Sequence, residues 1–201
     1  AYTWRFEGDN RPHRDDTTFD RRSNQVALSP ADAAARIAAL GQRRLVITGG
    51  EPLLQAGALA EMLEHLDPLV PGITVEIETN GTVKAPARLD IRIDQYNVSP
   101  KLSHSGNPAD LALIDERIDA YAADPRAFFK FVIATPEDVE EVIELDKRYR
   151  FRPGQVFLMA EGTTSKALRD KQEWLSPLCL RAGYRMTDRM HIHLYGDTRA
   201  T

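Results

Sequence analysis

Two glycines followed by a glutamate give this chain its clearest candidate for a ligand-binding turn. The turn at 48–52 has the sequence TGGEP and follows the apolar, strand-like run at 45–47. Gly49 and Gly50 let the backbone approach a ligand closely and expose amides that a side chain would hide. Glu51, beside them at the end of the strand, could accept hydrogen bonds from an ammonium group. An ordinary β–α turn, which glycine and proline also form, is the alternative interpretation.

Two carboxylates alternate in a second strand-like run, which ends in an Asn-Gly turn. Glu76 and Glu78 lie on one face of this strand, because side chains alternate with a period of two. The pair predicts either a polar contact inside a barrel or part of a ligand site. The turn at Asn80 and Gly81 also has the commonest hairpin sequence, so a hairpin is the alternative there.

Two further polar segments follow strand-like runs. The sequence SPK at 99–101 places Lys101 just beyond one strand, where an ammonium group could meet a carboxylate. Most isolated lysines are solvated surface residues, which is the other interpretation. The segment MAEG at 159–162 ends the strand-like run that begins at Val156. In folds with parallel strands, ligands bind at the carboxyl ends of the strands, so the position of these segments indicates a binding function.

The last strand-like run, 190–195, contains two histidines. His191 and His193 would share one face of a strand and could both reach a metal ion. Two histidines without a third ligand are weak evidence for a metal site. Histidines that make hydrogen bonds at the rim of a barrel are the favoured interpretation.

Helical segments separate the strand-like runs, which favours parallel β–α units in a barrel or a doubly wound sheet. The helix after Ser29 has a capping residue and a proline at its first position, and Gly41 ends it. Residues 5–25 are polar and predict a long surface loop. The other predicted helices are 53–66, 111–121, 135–149 and 166–181, and the predicted strands are 45–48, 73–78, 91–98, 128–134, 156–159 and 190–195.

Composition limits the classes of function. The 201 residues are 42% hydrophobic and 28% charged, which suits one domain over 1–201 with its own core. The mild net charge of −4 predicts neither a nucleic-acid partner nor a membrane surface. Cys179 is the only cysteine, so the chain contains no internal disulfide and no CxxC metal site. A cytoplasmic location is the prediction.

Taken together, the turns resemble those of the 7-carboxy-7-deazaguanine synthases in the radical S-adenosylmethionine (SAM) superfamily. The GGEP turn is typical of the superfamily, and the other segments narrow the resemblance to this family. The matching stretches are VITGGEPLLQ at 46–55, ETNGT at 78–82, SPKL at 99–102, FKFV at 129–132 and the tail from His191.

The resemblance implies an α/β fold, a partial and distorted (β/α) barrel of the radical SAM type, here without its first strand. It implies a homodimer that uses SAM, a [4Fe–4S] cluster and Mg²⁺, with flavodoxin or ferredoxin as reductant. The implied reaction is a lyase reaction of queuosine biosynthesis. In it, 6-carboxy-5,6,7,8-tetrahydropterin loses ammonia and becomes 7-carboxy-7-deazaguanine.

The same resemblance assigns site residues, although it identifies no catalytic side chain. Thr48 and the C-terminal Thr201 match positions that contact the substrate. Glu51 matches the residue that receives the SAM ammonium group. The cofactor-binding positions carried over to this chain are Gly49, Gly50, Glu51, Asn80, Ser99, Pro100, Lys101, Met159, Ala160, Glu161 and Gly162.

One part of the family pattern is absent. The three cluster cysteines and the magnesium ligand have no match in this chain, and we expect them upstream of Ala1. The chain alone is therefore expected to be inactive. The alternative function is a SAM- or pterin-binding protein that has no cluster. A different small radical SAM enzyme, such as a glycyl-radical activase, is disfavoured by the combination of ETNGT and SPK.

Overall fold

The computed structural model describes residues 5–6, 18–19 and 25–198. The chain divides into two compact units, Ala1–Arg43 with Gly57–Ile73 and Arg44–Ala56 with Thr74–Thr201. The single domain over 1–201 stays a prediction.

Among its described residues, the first unit contains two short strands and two helices. Strands β1 (Arg5–Phe6) and β2 (Thr18–Phe19) pair in parallel. Both fall in the segment predicted as a loop, because a strand of two residues is too short to produce a periodic pattern. Helix α1 (Pro30–Ala39) begins where predicted, and Ser29 caps it by accepting a hydrogen bond from a backbone amide at 3.1 Å. Most of helix α2 (Ala56–Leu66) also belongs to this unit.

The second unit is built on a parallel sheet of six strands, in the order β3-β4-β5-β6-β7-β8. Each strand therefore pairs with the next one in the sequence, and all six carboxyl ends lie at the same edge. The parallel β–α arrangement expected from the sequence is confirmed. The strands are β3 (Arg44–Ile47), β4 (Thr74–Thr79), β5 (Gln95–Val98), β6 (Ala127–Ile133), β7 (Val156–Ala160) and β8 (Arg185–Thr187).

Helices connect these strands, and one of them begins, and another ends, as its capping residues predict. Thr135 and Asp138 form a capping box at the start of one helix. Gly183, with a φ of 73°, ends the next. The helices are α3 (Ala87–Asp90), α4 (Ala109–Ala112), α5 (Asp115–Ala123), α6 (Pro136–Tyr149), α7 (Ser165–Ala182) and α8 (Met190–Tyr195), with 3₁₀ turns at Pro52–Gln55 and Ser103–Ser105.

The core of the second unit lies on one face of the sheet, which contacts helices α5, α6 and α7. Strand β6 shows the two faces most clearly, because its odd-numbered residues are fully buried and its even-numbered residues are half-buried. Phe129 and Phe131 belong to the buried face, and Phe129 packs against Phe151 with ring centroids 4.3 Å apart. The other face, which we call the open face, carries Phe128 and Lys130 on this strand.

The prediction of a last strand at 190–195 is wrong, since these residues form helix α8. The last strand is β8, five residues earlier. It is only three residues long and Met186 at its centre is exposed, so it has no apolar run that could predict it. On a helix, residues two positions apart point in different directions. His191 and His193 therefore do not share a face.

Candidate ligand-binding site at the carboxyl ends of the strands

The predicted ligand-binding segments all lie at the edge of the sheet where the strands end. Residues 48–51 follow β3, residues 80–82 follow β4, residues 99–101 follow β5, and residues 161–162 follow β7. Hydrogen bonds continue the sheet into two of these loops. The Ser99 amide donates to the Thr79 carbonyl at 2.7 Å, and the Glu161 amide donates to the Ile133 carbonyl at 2.8 Å. Their functional roles stay predictions, whereas their positions are those that the sequence indicated.

Glu51 connects the loop after β3 to the end of β4. Its carboxylate accepts hydrogen bonds from the Thr79 hydroxyl at 2.9 and 3.0 Å, and from the Asn80 amide at 2.8 Å. It also caps the short helix that follows, through the Leu53 amide at 3.0 Å. Three donors from two segments therefore hold this half-buried carboxylate in one orientation. The arrangement fixes a negative charge at the edge of the sheet.

The turn after β4 is tight, and it is not a hairpin, because β4 and β5 are parallel. The Asn80 side chain accepts hydrogen bonds from the Thr82 amide at 2.9 Å and the Thr82 hydroxyl at 2.6 Å. Gly81 has a φ of 83°, and a Cβ there would lie 2.9 Å from Val98. The chain therefore needs glycine at this position for both conformation and packing.

The two glycines of the TGGEP turn, Gly49 and Gly50, are less closely packed than Gly81. In the described part of the chain, no atom lies within 4 Å of a Cβ placed at Gly49 or Gly50. Both residues are exposed. Gly49 has a φ of 153°, a backbone conformation that favours glycine, whereas no contact of the described residues requires glycine at Gly50. A ligand that lies against the backbone would account for Gly50, as the sequence indicated.

Glu76 and Glu78 both lie on the open face, and each makes its own set of contacts. Glu76 is 4% exposed, forms an ion pair with Arg44 and accepts a hydrogen bond from the Asn97 amide group at 3.1 Å. Glu78 accepts hydrogen bonds from the Thr48 hydroxyl at 3.3 Å and from Lys130 at 3.2 Å. Glu76 is therefore buried in a structural ion pair. Glu78 instead links Thr48, the predicted substrate contact, to the open face.

Lys101 lies among charges of both signs. Burial lowers the pKa of its ammonium group, and the nearby Lys130 lowers it further, whereas Glu51 and Glu78 oppose the shift. Its Nζ donates to the Ser99 carbonyl at 3.2 Å. The four charged groups thus come from the loops after β3 and β5, the end of β4 and the middle of β6, and they act on one another electrostatically.

A cavity of about 410 Å³ lies on the open face. This volume is within the range of small-molecule pockets. Glu78 is the lining residue that the sequence had singled out as one of a carboxylate pair. The alternation of side chains along β6 could have indicated two more lining residues, Phe128 and Lys130. Strand β8 is too short to show such a pattern. The lining residues are Glu78, Gln95, Asn97, Phe128, Lys130, Phe157, Arg185 and Thr187.

The segment after β7 is fixed by two cations of the C-terminal region. Glu161 forms an ion pair with Lys171 at 2.7 Å, and Arg189 donates to the Gly162 carbonyl at 2.6 Å. A Cβ at Gly162 would lie 3.0 Å from the Leu168 side chain, so the first turn of α7 packs closely against this segment. The other predicted substrate contact, Thr201, lies outside the described residues.

The described residues do not fit a [4Fe–4S] cluster. Cys179 is 3% exposed inside helix α7, and burial raises the pKa of its thiol, which disfavours the thiolate that binds metal. Within residues 5–6, 18–19 and 25–198, no group of three or more histidine, cysteine or acidic side chains is arranged to hold a metal ion. His193 instead contacts Ser165 at 3.1 Å and Asp188 at 3.0 Å. In the same described ranges, no helix is long and apolar enough to cross a membrane.

Solved structures support the fold. The chain is similar to SuiB of Streptococcus suis, solved bound to S-adenosylmethionine, with a TM-score of 0.54 and 13% sequence identity. The similarity covers 82% of this chain and 44% of SuiB. At this identity the likeness concerns the fold alone, and it agrees with the predicted α/β class.

Curated relatives identify the family, although no protein-family model matches the chain. The 7-carboxy-7-deazaguanine synthase of Pyrobaculum aerophilum is 36% identical over 156 residues, which are 77% of this chain and 66% of that enzyme. The synthase of Halobacterium salinarum is 33% identical and covered to 66%, and that of Rhodopirellula baltica is 28% identical and covered to 68%. The chain thus spans about two thirds of the length of its curated relatives, and it belongs to the 7-carboxy-7-deazaguanine synthase family.

Proposed function

We propose that this chain functions as a 7-carboxy-7-deazaguanine synthase. In this function it is a radical SAM lyase that converts 6-carboxy-5,6,7,8-tetrahydropterin to 7-carboxy-7-deazaguanine with loss of ammonia. The observation that carries the proposal is the fixed Glu51 carboxylate, beside two exposed glycines, at the carboxyl edge of a parallel sheet. The names of the curated relatives support the same activity.

SAM would lie along this edge. Glu51 would receive its ammonium group, because the carboxylate is already oriented and carries the opposite charge. Gly49 and Gly50 would let the ligand reach the backbone amides of the first turn. The remaining predicted contacts come from the loops after β4 and β5, the last two residues of β7 and the loop that follows it. They are Asn80, Ser99, Pro100, Lys101, Met159, Ala160, Glu161 and Gly162.

The substrate would lie in the cavity on the open face. A tetrahydropterin carboxylate is a compact ring system with one negative charge, and the cavity offers cations at Lys130 and Arg185 with one carboxylate at Glu78. Phe128 and Phe157 supply the apolar part of the wall. Thr48 contacts Glu78, which joins the cavity to the edge of the sheet. The predicted substrate contact thus adjoins the predicted cofactor contacts.

The family chemistry uses a [4Fe–4S] cluster, which supplies the reductive cleavage of SAM, and Mg²⁺, which assists the ring contraction. The described residues do not fit the cluster, so this part of the chain is assigned only the binding and orientation of SAM and substrate. A homodimer and a flavodoxin or ferredoxin reductant in the cytoplasm belong to the same proposal. Light scattering coupled to size-exclusion chromatography would test the dimer.

Calorimetric titration with SAM tests the site directly. We expect Glu51→Gln to weaken SAM binding about tenfold or more, because a charge-assisted hydrogen bond contributes about 1.5–3 kcal/mol. Glu61→Gln is the matched control, since that glutamate is exposed on helix α2 and should leave affinity unchanged. Folded wild-type chain that produces no heat with SAM would rule out the proposed site.

Product formation tests the reaction. The full-length gene product, reconstituted anaerobically and supplied with SAM, reductant and 6-carboxy-5,6,7,8-tetrahydropterin, should yield 7-carboxy-7-deazaguanine by mass spectrometry. SAM binding without this product would favour the alternative of a SAM-binding protein that has no radical chemistry.

A further inference from the structure

The segment after β5 is anchored to helix α6 by a histidine and an aspartate. His104 lies in the 3₁₀ turn Ser103–Ser105, directly beyond the SPK segment, and its Nδ1 is 2.8 Å from the Asp138 carboxylate. A carboxylate can only accept, so the hydrogen of this bond is on Nδ1 of the imidazole. The contact ties the predicted SAM-binding loop to a neighbouring element of the same unit.

Asp138 serves more than one loop. It is 5% exposed, and its second oxygen accepts hydrogen bonds from the Ala134 amide at 2.7 Å and the Thr135 amide at 2.9 Å. These two residues form the turn after β6. One buried carboxylate therefore fixes both the turn after β6 and, through His104, the loop after β5.

The connection continues to the loop after β7. Ile133, at the end of β6, accepts the backbone hydrogen bond of Glu161 at 2.8 Å. Three adjacent strand ends are thus linked by consecutive contacts, and two of them carry predicted SAM contacts. A second anchor, from Ser103 to the Glu141 carboxylate at 3.0 and 3.1 Å, is exposed to solvent. The His104 contact is the more buried of the two.

We propose that His104 is a positioning residue for SAM binding, acting through Asp138 to hold Ser99, Pro100 and Lys101 in register with the loops after β6 and β7. This inference rests on the proposed SAM site. It assigns no contact between His104 and the ligand. Small displacements of groups that bind a ligand are costly, so a loop freed from this anchor loses affinity although no ligand contact has been removed.

Three substitutions at one position separate the hydrogen bond from the bulk of the ring. His104→Ala removes both. His104→Asn places an amide nitrogen where Nδ1 lies, whereas His104→Gln places one near Nε2, which does not face Asp138. We expect the alanine and glutamine variants to bind SAM about tenfold more weakly, and the asparagine variant to stay within about twofold of wild type. His65→Ala, an exposed histidine near Glu61 in the other unit, is the control.

Hydrogen exchange of the backbone amides gives a second measurement. In the alanine and glutamine variants, we expect faster exchange only in residues 99–106. The comparison of the asparagine and glutamine variants keeps the test valid even if the alanine variant unfolds. Wild-type affinity in both the alanine and glutamine variants would overturn the positioning role while the SAM site stands. Wild-type chain that does not bind SAM would remove the proposed function and this inference with it.

Discussion

Neighbouring residues on strand β6 lie in opposite environments. Phe129 is fully buried on the face that contacts the helices, and its ring packs against Phe151. Lys130, the next residue, reaches Glu78 on the open face and lines the cavity. The same contrast recurs on β5, where Tyr96 is buried and Asn97 lines the cavity.

The difference separates side chains that hold the fold from those available for binding. Burying an apolar side chain stabilises by about 1.5–3 kcal/mol, whereas an ion pair that is partly exposed contributes little. The ion pair between Glu78 and Lys130 on the open face therefore adds little to stability. Its position beside the cavity is better explained by a charged ligand, and substitutions on the two faces should have different effects.

Alanine substitution of two adjacent phenylalanines gives the largest expected contrast. Phe129→Ala leaves a cavity beneath the helices and should reduce the free energy of unfolding by about 3–5 kcal/mol. Phe128→Ala, on the half-buried face, should reduce it by about 1–2 kcal/mol. Denaturant unfolding followed by circular dichroism measures both. Equal losses would mean that the two faces do not differ in their contribution to stability.

Two glycines with similar backbone conformations, Gly81 and Gly106, differ in how closely other residues pack against them. Gly81→Ala should cost about 2–3 kcal/mol, because it adds a clash with Val98 and Ile118 to the strain of a positive φ. Gly106→Ala has the same strain, with a φ of 71°, but no atom within 4 Å, so about 1 kcal/mol is expected. Thermal unfolding of both variants provides the measurement. Similar costs would show that the turn after β4 can relax.

Much of this arrangement could be predicted from the sequence, because it depends on local patterns. The capping residues predicted the helix that begins at Pro136, and the alternation of strands and helices predicted the parallel sheet. The structure confirms both. The strand-like run at 45–47 likewise predicted that the GGEP turn lies at the end of a strand. What could not be predicted depends on contacts between distant segments, such as the bond from Glu51 to Thr79. Strand β8 and the contribution of Arg185 were missed because three residues carry no period.

Substitution of Arg185 tests whether the open face binds a charged ligand. Its guanidinium lies 5.3 Å from the centre of the Phe157 ring, and both residues line the cavity. Arg185→Gln should weaken binding of 6-carboxypterin, an oxidised analogue of the proposed substrate, about tenfold, while unfolding changes by about 0.5 kcal/mol or less. Pterin without the carboxylate is the control ligand, and fluorescence titration measures both. An equal loss for the two ligands would exclude a role for Arg185 in binding the carboxylate.

The charges around Arg126, beside the amino end of β6, should behave differently, because they serve the fold. Arg126 donates hydrogen bonds to Asp124 at 2.7 Å and Asp90 at 2.8 Å, and it lies 5.2 Å from the centre of the Tyr96 ring. The hydrogen bonds from Arg126 lower the pKa of the Asp124 carboxyl below its ordinary value. A carboxyl whose pKa is lower in the folded state contributes its full stabilisation above the unfolded pKa of about 4 and loses it as the pH falls through the folded value.

Asp124→Asn should therefore reduce the free energy of unfolding by about 1 kcal/mol at pH 7. The difference from wild type should shrink as the pH falls below about 4, because the wild-type carboxyl then becomes protonated. Urea unfolding of both proteins between pH 7 and pH 3 measures this convergence. Asp110→Asn, at an exposed aspartate of helix α4, controls for the general loss of negative charge. A difference that stays constant down to pH 3 would show that Asp124 stabilises the protein through its shape rather than its charge.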